Sequence, residues 1–482
     1  MSLEFIVEPL THICNQSLQE GIFPQQLKIA NVIPLYKSDD PMHFNHYRPV
    51  SLLCTLSKVF ERIMYTRLLN FLEKLKIIYE KQFGFRKHHS TYMALMLLMD
   101  KITTSLQTGE FVVGVFLDFS KAFDTVNHEI LLQKLNYYGI RGVSLKWFES
   151  YLSNRSQFVT YNGEKSSRKN IICGVPQGSI LGPLLFLIYI NDLSNVCESM
   201  MPLLFADDTN LFKSGRDSIQ IQLEIESDLL RISEWLKINE LSLNIKKTQF
   251  MVFTNKKRSD PNIEINIDGH SIEKTFKIKF LGVIIDSHLT WKNHVNYISS
   301  KIAKGIGIII KARKLLDRET LITLYYSFVY PYLQYCNHVW GNTYPTYLHK
   351  LHVLQKRIVR VIAGVKPREH SAPLFKHLKI LTIFQINVYV IGKFMYKVHH
   401  RKTLNVFISM FKVNSSVHGY DTRQASHYHL PLPTKGLSKT GLCYRGAIIW
   451  NKILSLGVRT KVSEAVFSKD FKRFITDTVA HF

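Results

Sequence analysis

Three aspartates carry the most informative pattern in the chain. Asp207 and Asp208 are adjacent within MPLLFADDTNLFK at 201–213, and Asp118 follows the apolar run FVVGVFL at 111–117. Carboxylates held close together cannot all stay ionised unless a cation lies among them. Mg²⁺ is a hard cation that binds through a few carboxylates, waters and substrate phosphates. Two such ions would activate an attacking hydroxyl and stabilise a leaving phosphate oxygen, so the pattern predicts nucleotidyl transfer.

The elements around these aspartates favour that interpretation over a plainer one. Aspartate is common in turns because its side chain bonds the nearby backbone, and this explains most isolated Asp-Asp pairs. The residues at 201–213 run apolar, polar, apolar, which predicts a tight β-hairpin with Asp207 and Asp208 at its tip. The apolar run at 111–117 predicts a buried strand that delivers Asp118 beside that tip. The strand that ends beside Asp118 therefore favours a catalytic cluster over an ordinary turn.

The composition points to a polyanionic partner. The 482 residues carry a formal net charge of +25, and 46% of them are hydrophobic, which is ample for a folded core. No stretch approaches the ~20 apolar residues of a membrane-spanning helix, so no membrane partner is expected. The six cysteines are scattered without a CxxC pair. This spacing is typical of a reduced, intracellular chain without structural zinc.

Basic residues accumulate on predicted helices after residue 291. The cations that interleave with apolar residues there include Lys301, Lys304, Lys311, Lys356 and Arg360. Clustered cations on helices can follow a phosphate backbone. A solvated helix face explains the same residues equally well, and composition does not decide between the two. From about residue 366 the chain mixes short helical patterns with a polar stretch at 414–435, and no catalytic constellation is found there.

Three further segments carry weaker signals. GVPQGS at 174–179 is a glycine- and proline-rich loop that opens an apolar helix, and its glycines would let another backbone or a base approach closely. FLGVIID at 280–286 is predicted to be a single strand, and a basic turn is expected at 256–258. None of these features is specific to one function when taken alone.

Four motifs, taken in order, resemble those of reverse transcriptases. They are FLDFSKAFD at 116–124, GVPQGSILGPLLF at 174–186, FADD at 205–208 and FLG at 280–282. The flanking segments IPLYK…YRPVSLL, GFRKHHST, NIKKTQFMVF and YYSFVYPYLQYCNHVWGN are similar to polymerases of non-LTR retrotransposons, especially jockey-like ones. The resemblance covers 10–362, and more loosely GYDTR…GAIIWN near the C-terminus. Several motifs in order and at matching spacing are a far more specific signal than any one of them.

This resemblance implies an α/β (α+β) fold of the right-hand polymerase type. The fingers would occupy 1–110, and an antiparallel-sheet palm with a fingers insertion would occupy 111–290 and hold the catalytic motifs. A helical thumb would follow at 291–365. The remaining 366–482 would be a C-terminal extension of mixed structure, for which the resemblance gives no role.

The resemblance also assigns residues to the reaction centre. Asp118, Asp207 and Asp208 would hold two Mg²⁺ ions, for which Mn²⁺ could substitute. Lys37 and Arg48 match fingers residues that pair with the triphosphate, a role that suits the bidentate geometry of arginine.

Other positions would contact the incoming nucleotide, the leaving group and the primer. Phe123 matches the steric-gate position, where an aromatic ring crowds a ribose 2′-hydroxyl, and Gln177 with Gly178 matches the loop against the nascent base pair. Lys247 matches a candidate proton donor to pyrophosphate. The primer grip would consist of Phe280, Leu281 and Gly282.

The implied activity is RNA-directed DNA synthesis. Its partners would be an RNA template, a DNA primer and dNTPs, in the nucleus when chromosomal DNA is the target and otherwise in the cytoplasm. Phe205 stands where many reverse transcriptases have tyrosine, although the jockey-like subgroup is similar to this chain. Elements of this family usually carry an endonuclease before the polymerase. Because this sequence starts late, and because no RNase H-like set of acidic strands follows the thumb, we expect no nuclease in it.

Two alternatives stay open. The chain could be an inactive, nucleic-acid-binding relic of a retrotransposon polymerase, although a decaying gene has no physical reason to keep Asp118, Asp207 and Asp208 together. It could also be another two-metal enzyme on a palm-like sheet, such as a cyclase. The net charge of +25 and the basic helices disfavour a small-molecule substrate.

Overall fold

The computed structural model describes residues 2–37, 40–255, 260–417, 424–431 and 441–477. The basic turn expected at 256–258 lies outside these ranges, as do the GYDTR segment and much of the polar stretch at 414–435. No helix in the described ranges is long and apolar enough to cross a membrane.

The N-terminal part of the chain builds a sheet from strands that are distant in sequence. Its first elements are α1 (Ser2–Glu20), β1 (Ile29–Tyr36), β2 (Tyr47–Leu52), α2 (Thr55–Lys74), α3 (Thr91–Gln107), β3 (Phe111–Leu117), α4 (His128–Tyr137), α5 (Val143–Leu152), β4 (Arg155–Tyr161), β5 (Glu164–Lys165) and β6 (Lys169–Ile171). The strand order is β2-β1-β4-β5, with β6 paired to β4. Strands β1 and β2 are antiparallel, and β1 and β4 are parallel. This sheet therefore pairs strands that precede β3 in the chain, β1 and β2, with strands that follow it, β4 to β6.

A second, central sheet carries the predicted acidic strands. The elements that come next in the chain are α6 (Gly182–Ile190), β7 (Met201–Phe205), β8 (Asp208–Gly215), α7 (Ser218–Ile238), β9 (Gln249–Phe253), β10 (Asn266–Ile267), β11 (His270–Ser271), β12 (Glu273–Lys274), β13 (Lys277–Phe280) and β14 (Val283–Asp286). The strand order is β12-β9-β3-β8-β7. All pairs in it are antiparallel except β12 with β9. The predicted α/β class is confirmed, and the central sheet is predominantly antiparallel.

Strand β3 is buried along its whole length because it has a neighbouring strand on each side and apolar layers on both faces. Val112 and Phe116 pack into the apolar cluster that includes α3. Val113, Val115 and Leu117 pack into the cluster that includes α6 and α7. This division follows the alternation of side chains along a strand. A continuous apolar run such as FVVGVFL is what a strand buried on two faces requires.

The segment FLGVIID is a hairpin, so the prediction of a single strand is wrong. Strands β13 and β14 are antiparallel, and Phe280 pairs with Val283, which leaves a two-residue loop. Leu281 and Gly282 both have positive φ, at 44° and 81°. Two central residues with positive φ are typical of the type I′ turns that close tight hairpins. The apolar run hides this turn, because Gly282 is its only local signal.

The described part of the chain after β14 is mainly helical. It contains α8 (Lys292–Ala312), α9 (Arg318–Phe328), α10 (Tyr330–Gln334), α11 (Asn337–Trp340), α12 (Pro345–Ala363), α13 (Ala372–His377), α14 (Ile383–His399), α15 (Asn405–Ser409), α16 (Leu442–Ser455) and α17 (Glu464–Asp477). Trp340 on α11 and Trp450 on α16 are fully buried within one apolar cluster, which also includes residues of α3, α8, α12 and α14. The helices on both sides of residue 366 thus share a single core.

Candidate active site

Asp118 lies where β3 leaves the central sheet. Its backbone carbonyl accepts a hydrogen bond from the Asn244 N–H at 2.8 Å. Its own N–H donates to the Thr248 hydroxyl at 3.4 Å. Both partners precede β9, the neighbouring strand, so the end of β3 is tied down beside that strand. The side chain of Asp118 is half-buried.

The β7–β8 hairpin carries the other two carboxylates. Phe205 pairs with Asp208, so the loop consists of Ala206 and Asp207 alone. Asp208 is therefore the first residue of β8, which corrects the prediction that both aspartates occupy the tip. Ala206 has a positive φ of 56°. Positive φ at the first loop residue is the pattern of a type II′ turn, a position that favours glycine, and an alanine there is strained.

The three carboxylates influence one another electrostatically. Asp207 and Asp208 are open to solvent at the hairpin end, while protein surrounds them on the other sides. This partial desolvation is the main reason why the pKa of Asp207 is raised, and the Asp118 carboxylate raises it further. Desolvation, Asp207 and Asp118 together raise the pKa of Asp208 to about 6. The structure thus brings together the acidic cluster that the sequence predicts.

Two cations of the N-terminal sheet face this cluster. Arg48 pairs with Leu35 across β1 and β2, and the Lys37 N–H donates to the His46 carbonyl at 2.9 Å. Both side chains are exposed. Their positive charges oppose the rise in the pKa of Asp207, which places Arg48 and Lys37 within electrostatic reach of that carboxylate.

Phe123 lies in an aromatic group near the end of β3. Its half-buried ring stacks on Phe186 of α6 with 4.3 Å between ring centroids. The ring of Phe85, which is 50% exposed, lies perpendicular to that of Phe123 at 6.2 Å between centroids. A ring clamped in this way has one defined position, which is what a group that excludes another by its volume requires.

The GVPQGS loop is clamped between two segments. The Gln177 amide donates to the Asp124 carboxylate at 2.9 Å, and the Gln177 carbonyl accepts the Ser51 N–H of β2 at 2.8 Å. Gly178 has a φ of 126°, and a Cβ placed there would lie 2.5 Å from the Ser51 carbonyl oxygen. Glycine is therefore required at Gly178 both by its backbone conformation and by the close approach of β2.

Glu61 anchors the same loop and was not anticipated from the sequence. It is fully buried on α2, and its carboxylate accepts the Ile180 N–H at 2.6 Å. The Ser57 and Tyr151 hydroxyls also donate to it, at 3.0 and 3.2 Å. Buried glutamates are rare unless they are paired. In sequence this one looks like any charged residue on an amphipathic helix, because its partners are far away along the chain.

Lys247 lies in the turn that holds Asp118. Its N–H donates to the Asn244 carbonyl at 3.0 Å, and Asn244 is the residue whose N–H bonds the carbonyl of Asp118. The side chain of Lys247 is exposed. Backbone hydrogen bonds to Asn244 therefore link Lys247 to the end of β3.

The β13–β14 turn is held by a tyrosine from the helical part of the chain. The Tyr335 hydroxyl donates to the Leu281 carbonyl at 2.7 Å, and its ring lies against Gly282. Phe280 is buried, with its ring centroid 6.2 Å from that of Phe116 on β3. The core thus joins this turn to the same strand that delivers Asp118.

The basic residues predicted to contact nucleic acid lie on α8 and α12. Lys304 and Lys311 are exposed, and Lys356 is half-buried. The Lys301 ammonium lies 5.6 Å from the ring centroid of Tyr297, and the Arg360 guanidinium donates to the Glu369 carbonyl at 2.7 Å. No hydrogen bond or ion pair in the part of the chain that the structure describes joins these cations to the three aspartates.

The carboxylate cluster suits a divalent cation that brings ligands of its own. Among the described residues, no three His, Cys, Asp or Glu side chains form a ready-made metal cage. Asp118, Asp207 and Asp208 nevertheless lie close enough to raise carboxyl pKa values, which a bound cation would reverse. An incomplete set of oxygen donors is what Mg²⁺ requires, because it keeps waters and takes further oxygens from substrate phosphates.

Comparison with known proteins identifies the family. A family profile described as reverse transcriptase (RNA-dependent DNA polymerase) matches residues 36–285. The chain is 29% identical over 389 residues to a probable RNA-directed DNA polymerase from transposon X-element of Drosophila melanogaster, covering 78% of this chain and 42% of that protein. It is 30% identical over 383 residues to the RNA-directed DNA polymerase from mobile element jockey of the same species (77% and 41%). The corresponding jockey protein of Drosophila funebris is 32% identical over 366 residues (74% and 40%).

These relatives confirm the resemblance to jockey-like non-LTR retrotransposon polymerases, and the chain spans about two fifths of their length. A solved structure of telomerase from Candida albicans, in complex with a TWJ fragment of telomeric RNA, matches with a TM-score of 0.44 at 14% identity, covering 75% of this chain and 68% of that one. A similarity at that TM-score carries no conclusion about this chain. The family profile, in contrast, spans more than half of the 482 residues and includes the aspartate cluster with the cations that face it. The chain belongs to the reverse transcriptase (RNA-dependent DNA polymerase) family.

Proposed function

We propose that this chain is the polymerase part of a non-LTR retrotransposon protein and extends a DNA 3′ end on an RNA template. The observation that carries the proposal is that Asp118, Lys37 and Arg48 all lie close enough to Asp207 to influence its pKa, so that a carboxylate cluster and a pair of cations share one site. Carboxylates that attract metal ions next to cations that attract phosphates suit a nucleoside triphosphate as the substrate.

Reverse transcriptases use divalent cations, and we propose two Mg²⁺ ions here, with Mn²⁺ as a substitute. Asp118, Asp207 and Asp208 would hold them. When bound, the ions would make the primer hydroxyl a better nucleophile and stabilise negative charge on the phosphate oxygens. The raised pKa of Asp208, at about 6, means that this carboxyl is ionised and ready to bind a cation above that pH.

The proposed reaction forms one bond and breaks one bond at the α-phosphorus of the dNTP. The primer 3′ oxygen bonds to that phosphorus and loses its proton to solvent, and the bond to the oxygen that bridges to the β-phosphorus breaks. Lys37 and Arg48 bind the triphosphate oxygens through charge-assisted hydrogen bonds. Lys247, exposed in the turn beside Asp118, donates a proton to the pyrophosphate as it leaves and recovers one from solvent.

The neighbouring residues would select the nucleotide and place the primer. The loop of Gln177 and Gly178 would lie against the nascent base pair, and the clamp between Asp124 and Ser51 supports this role because it makes the loop rigid. Phe123 would exclude a 2′-hydroxyl. The turn at 280–282 would hold the primer, and the lysines of α8 and α12 would bind its backbone and that of the template.

Primer extension tests the proposal. Purified chain is incubated with an RNA template, a labelled DNA primer, dNTPs and Mg²⁺, and the control reaction contains EDTA. We expect DNA products on the RNA template that depend on Mg²⁺ and are absent with the Asp118→Asn variant. Tight binding of primer and template without any extension in Mg²⁺ or Mn²⁺ would instead support the inactive, nucleic-acid-binding relic.

A further inference from the structure

A short segment before α3 covers the outer edge of the catalytic hairpin. The Phe83 N–H donates to the Leu204 carbonyl at 2.8 Å, and the Leu204 N–H donates to the Lys81 carbonyl at 3.0 Å. Gln82 therefore pairs with Leu204 in a parallel bridge. Strand β7 is the last strand of the central sheet, so this segment supplies the partner that its free edge would lack.

Within this segment, Gln82 bonds the backbone of the catalytic turn directly. Its side chain is 2% exposed. Its amide oxygen accepts the Ala206 N–H at 3.0 Å and the Gly84 N–H at 2.8 Å. Ala206 is the strained residue that immediately precedes Asp207. Among the described residues, the one long-range hydrogen bond of the Gln82 oxygen thus comes from Ala206, whose conformation decides where the Asp207 carboxylate lies.

Gly84 makes the same contact from the backbone side. A Cβ placed on Gly84 would lie 2.3 Å from the Ala206 nitrogen and 2.9 Å from the Phe205 carbonyl carbon. No side chain fits there unless the catalytic turn moves. Two residues of one segment, one by its side chain and one by lacking a side chain, therefore meet the turn at Ala206.

We propose that Gln82 is a positioning residue for the cation site and that it acts through Ala206. The inference rests on the proposed function, because it assumes that Asp207 binds a cation. The amide oxygen of Gln82 makes the contact with the turn, since its amide nitrogen has no hydrogen-bond partner among the described residues. A residue that keeps an acceptor oxygen at this position should therefore preserve cation binding, whereas one of equal length without an acceptor should weaken it.

The test compares Gln82→Met with Gln82→Glu, because only the glutamate keeps an oxygen that can accept the Ala206 N–H. Mn²⁺ binding is measured by electron paramagnetic resonance on the full chain with primer, template and dNTP. Outer-shell partners of metal ligands change metal affinity by about 10- to 100-fold, so we expect Gln82→Met to bind Mn²⁺ at least about tenfold more weakly. Gln82→Glu should bind it at least as tightly as the wild type. Equal losses in both variants, or no loss in Gln82→Met, would overturn the proposal.

Gly84→Ala supplies a second approach in case Gln82→Met does not fold. Its methyl group would push the turn directly, so it should weaken Mn²⁺ binding without abolishing RNA binding. Gly307→Ala on α8 is the matched control, because a Cβ there meets nothing within 4 Å. A Gly84→Ala variant with wild-type Mn²⁺ affinity would count against the proposal, as would an equal loss in Gly307→Ala.

The two proposals fail in different ways. If the wild type binds Mn²⁺ through Asp207 but copies no RNA, and Gln82→Met binds Mn²⁺ more weakly than Gln82→Glu does, the proposed function fails and the role of Gln82 stands. If the wild type copies RNA and Gln82→Met binds Mn²⁺ and extends primers like the wild type, the proposed function stands and the inference about Gln82 fails.

Discussion

The β7–β8 and β13–β14 hairpins are built alike but carry different chemistry. Each has a two-residue loop, and each loop contains a residue other than glycine with positive φ: Ala206 at 56° and Leu281 at 44°. Each loop is held by a side chain from a distant segment. Gln82 accepts a hydrogen bond from the Ala206 N–H, and Tyr335 donates one to the Leu281 carbonyl.

The difference between the two hairpins lies in the charge of their turns. Asp207 and Asp208 in the first hairpin have raised pKa values, mainly because of desolvation. The second turn, at 280–282, has no ionisable side chain and packs against Phe116 through Phe280. In our proposal, a two-residue loop therefore carries catalytic carboxylates in one hairpin and places the primer in the other. Changes in the first hairpin should affect the chemical step, and changes in the second should affect primer binding.

The largest effect should come from Asp207→Asn. It removes an anionic ligand and leaves the shape of the turn intact. Cation catalysis is worth several kcal/mol, so we expect single-turnover extension to fall by roughly a thousandfold while binding of primer and template is unchanged. Extension at the wild-type rate would contradict the proposed difference between the two hairpins, because Asp207 in the β7–β8 hairpin would then have no role in the chemical step.

A second prediction concerns the basic helices that come after the β13–β14 hairpin. The change replaces three lysines with alanine: Lys304, Lys311 and Lys356. Each phosphate contact that is lost should reduce the slope of log affinity against log salt by about 0.9 for a duplex. The control replaces three exposed lysines of the C-terminal part: Lys376, Lys379 and Lys461. If both triple variants show the wild-type slope, the lysines of α8 and α12 only solvate their helices.

Phe123→Val should change the choice of sugar. The smaller side chain opens the space beside Phe186 that would otherwise exclude a 2′-hydroxyl. Pocket contacts of this size discriminate by about tenfold or more, so ribonucleotide use relative to deoxyribonucleotide use should rise by roughly that factor. The ratio is measured with paired rNTP and dNTP extensions. An unchanged ratio would contradict the steric-gate role and would mean that Phe123 only packs in the core.

Tyr335→Phe should act only on the β13–β14 hairpin. It removes the hydroxyl that bonds the Leu281 carbonyl, a contribution of about 1 kcal/mol, and so should weaken primer binding by about fivefold. The extension rate of bound primer should stay unchanged. Tyr332→Phe, which lies three residues earlier on α10, is the control. A loss in the chemical step that exceeds the loss in binding would show that the two hairpins do not divide their roles as described.

The smallest effect should be on stability, through Asp208. Because its pKa is raised to about 6 from an ordinary value of 3.8, the folded protein retains this proton while the unfolded chain has already lost it. The free energy of unfolding therefore decreases as pH rises through that interval and stays lower above it. In EDTA, Asp208→Asn should raise the melting temperature at pH 8, and the gain should shrink towards pH 5. A gain that does not depend on pH would contradict the electrostatic explanation.

The sequence predicts the charged hairpin much better than it predicts what holds that hairpin. Asp118 and Asp207 each come after an apolar strand, and two such strands indicate a site more specifically than a single Asp-Asp pair in a turn does. Glu61 and Gln82 could not be found in the same way, because their partners Ile180 and Ala206 are 119 and 124 residues away along the chain. The structure assigns their roles through these long-range contacts.

The β13–β14 hairpin shows a second limit of prediction from sequence. The run FLGVIID has the composition of a strand, and only Gly282 indicates a turn within it. Leu281 adopts positive φ because Tyr335 and the surrounding core hold it there, and this constraint comes from tertiary contacts. A similar reason explains why Asp208 was predicted at the hairpin tip: the position of the loop depends on the pairing of Phe205 with Asp208, which apolar periodicity does not fix.

The most direct test of the proposed cation site is to locate the cations. Crystals of the chain with primer, RNA template, an unreactive dNTP analogue and Mn²⁺ would give anomalous scattering from manganese alone. We predict manganese peaks at oxygen-ligand distance from the carboxylates of both Asp118 and Asp207, and we expect Asp207→Asn to weaken them. Manganese bound elsewhere in an otherwise ordered complex, with these two carboxylates free of metal, would contradict the proposed site.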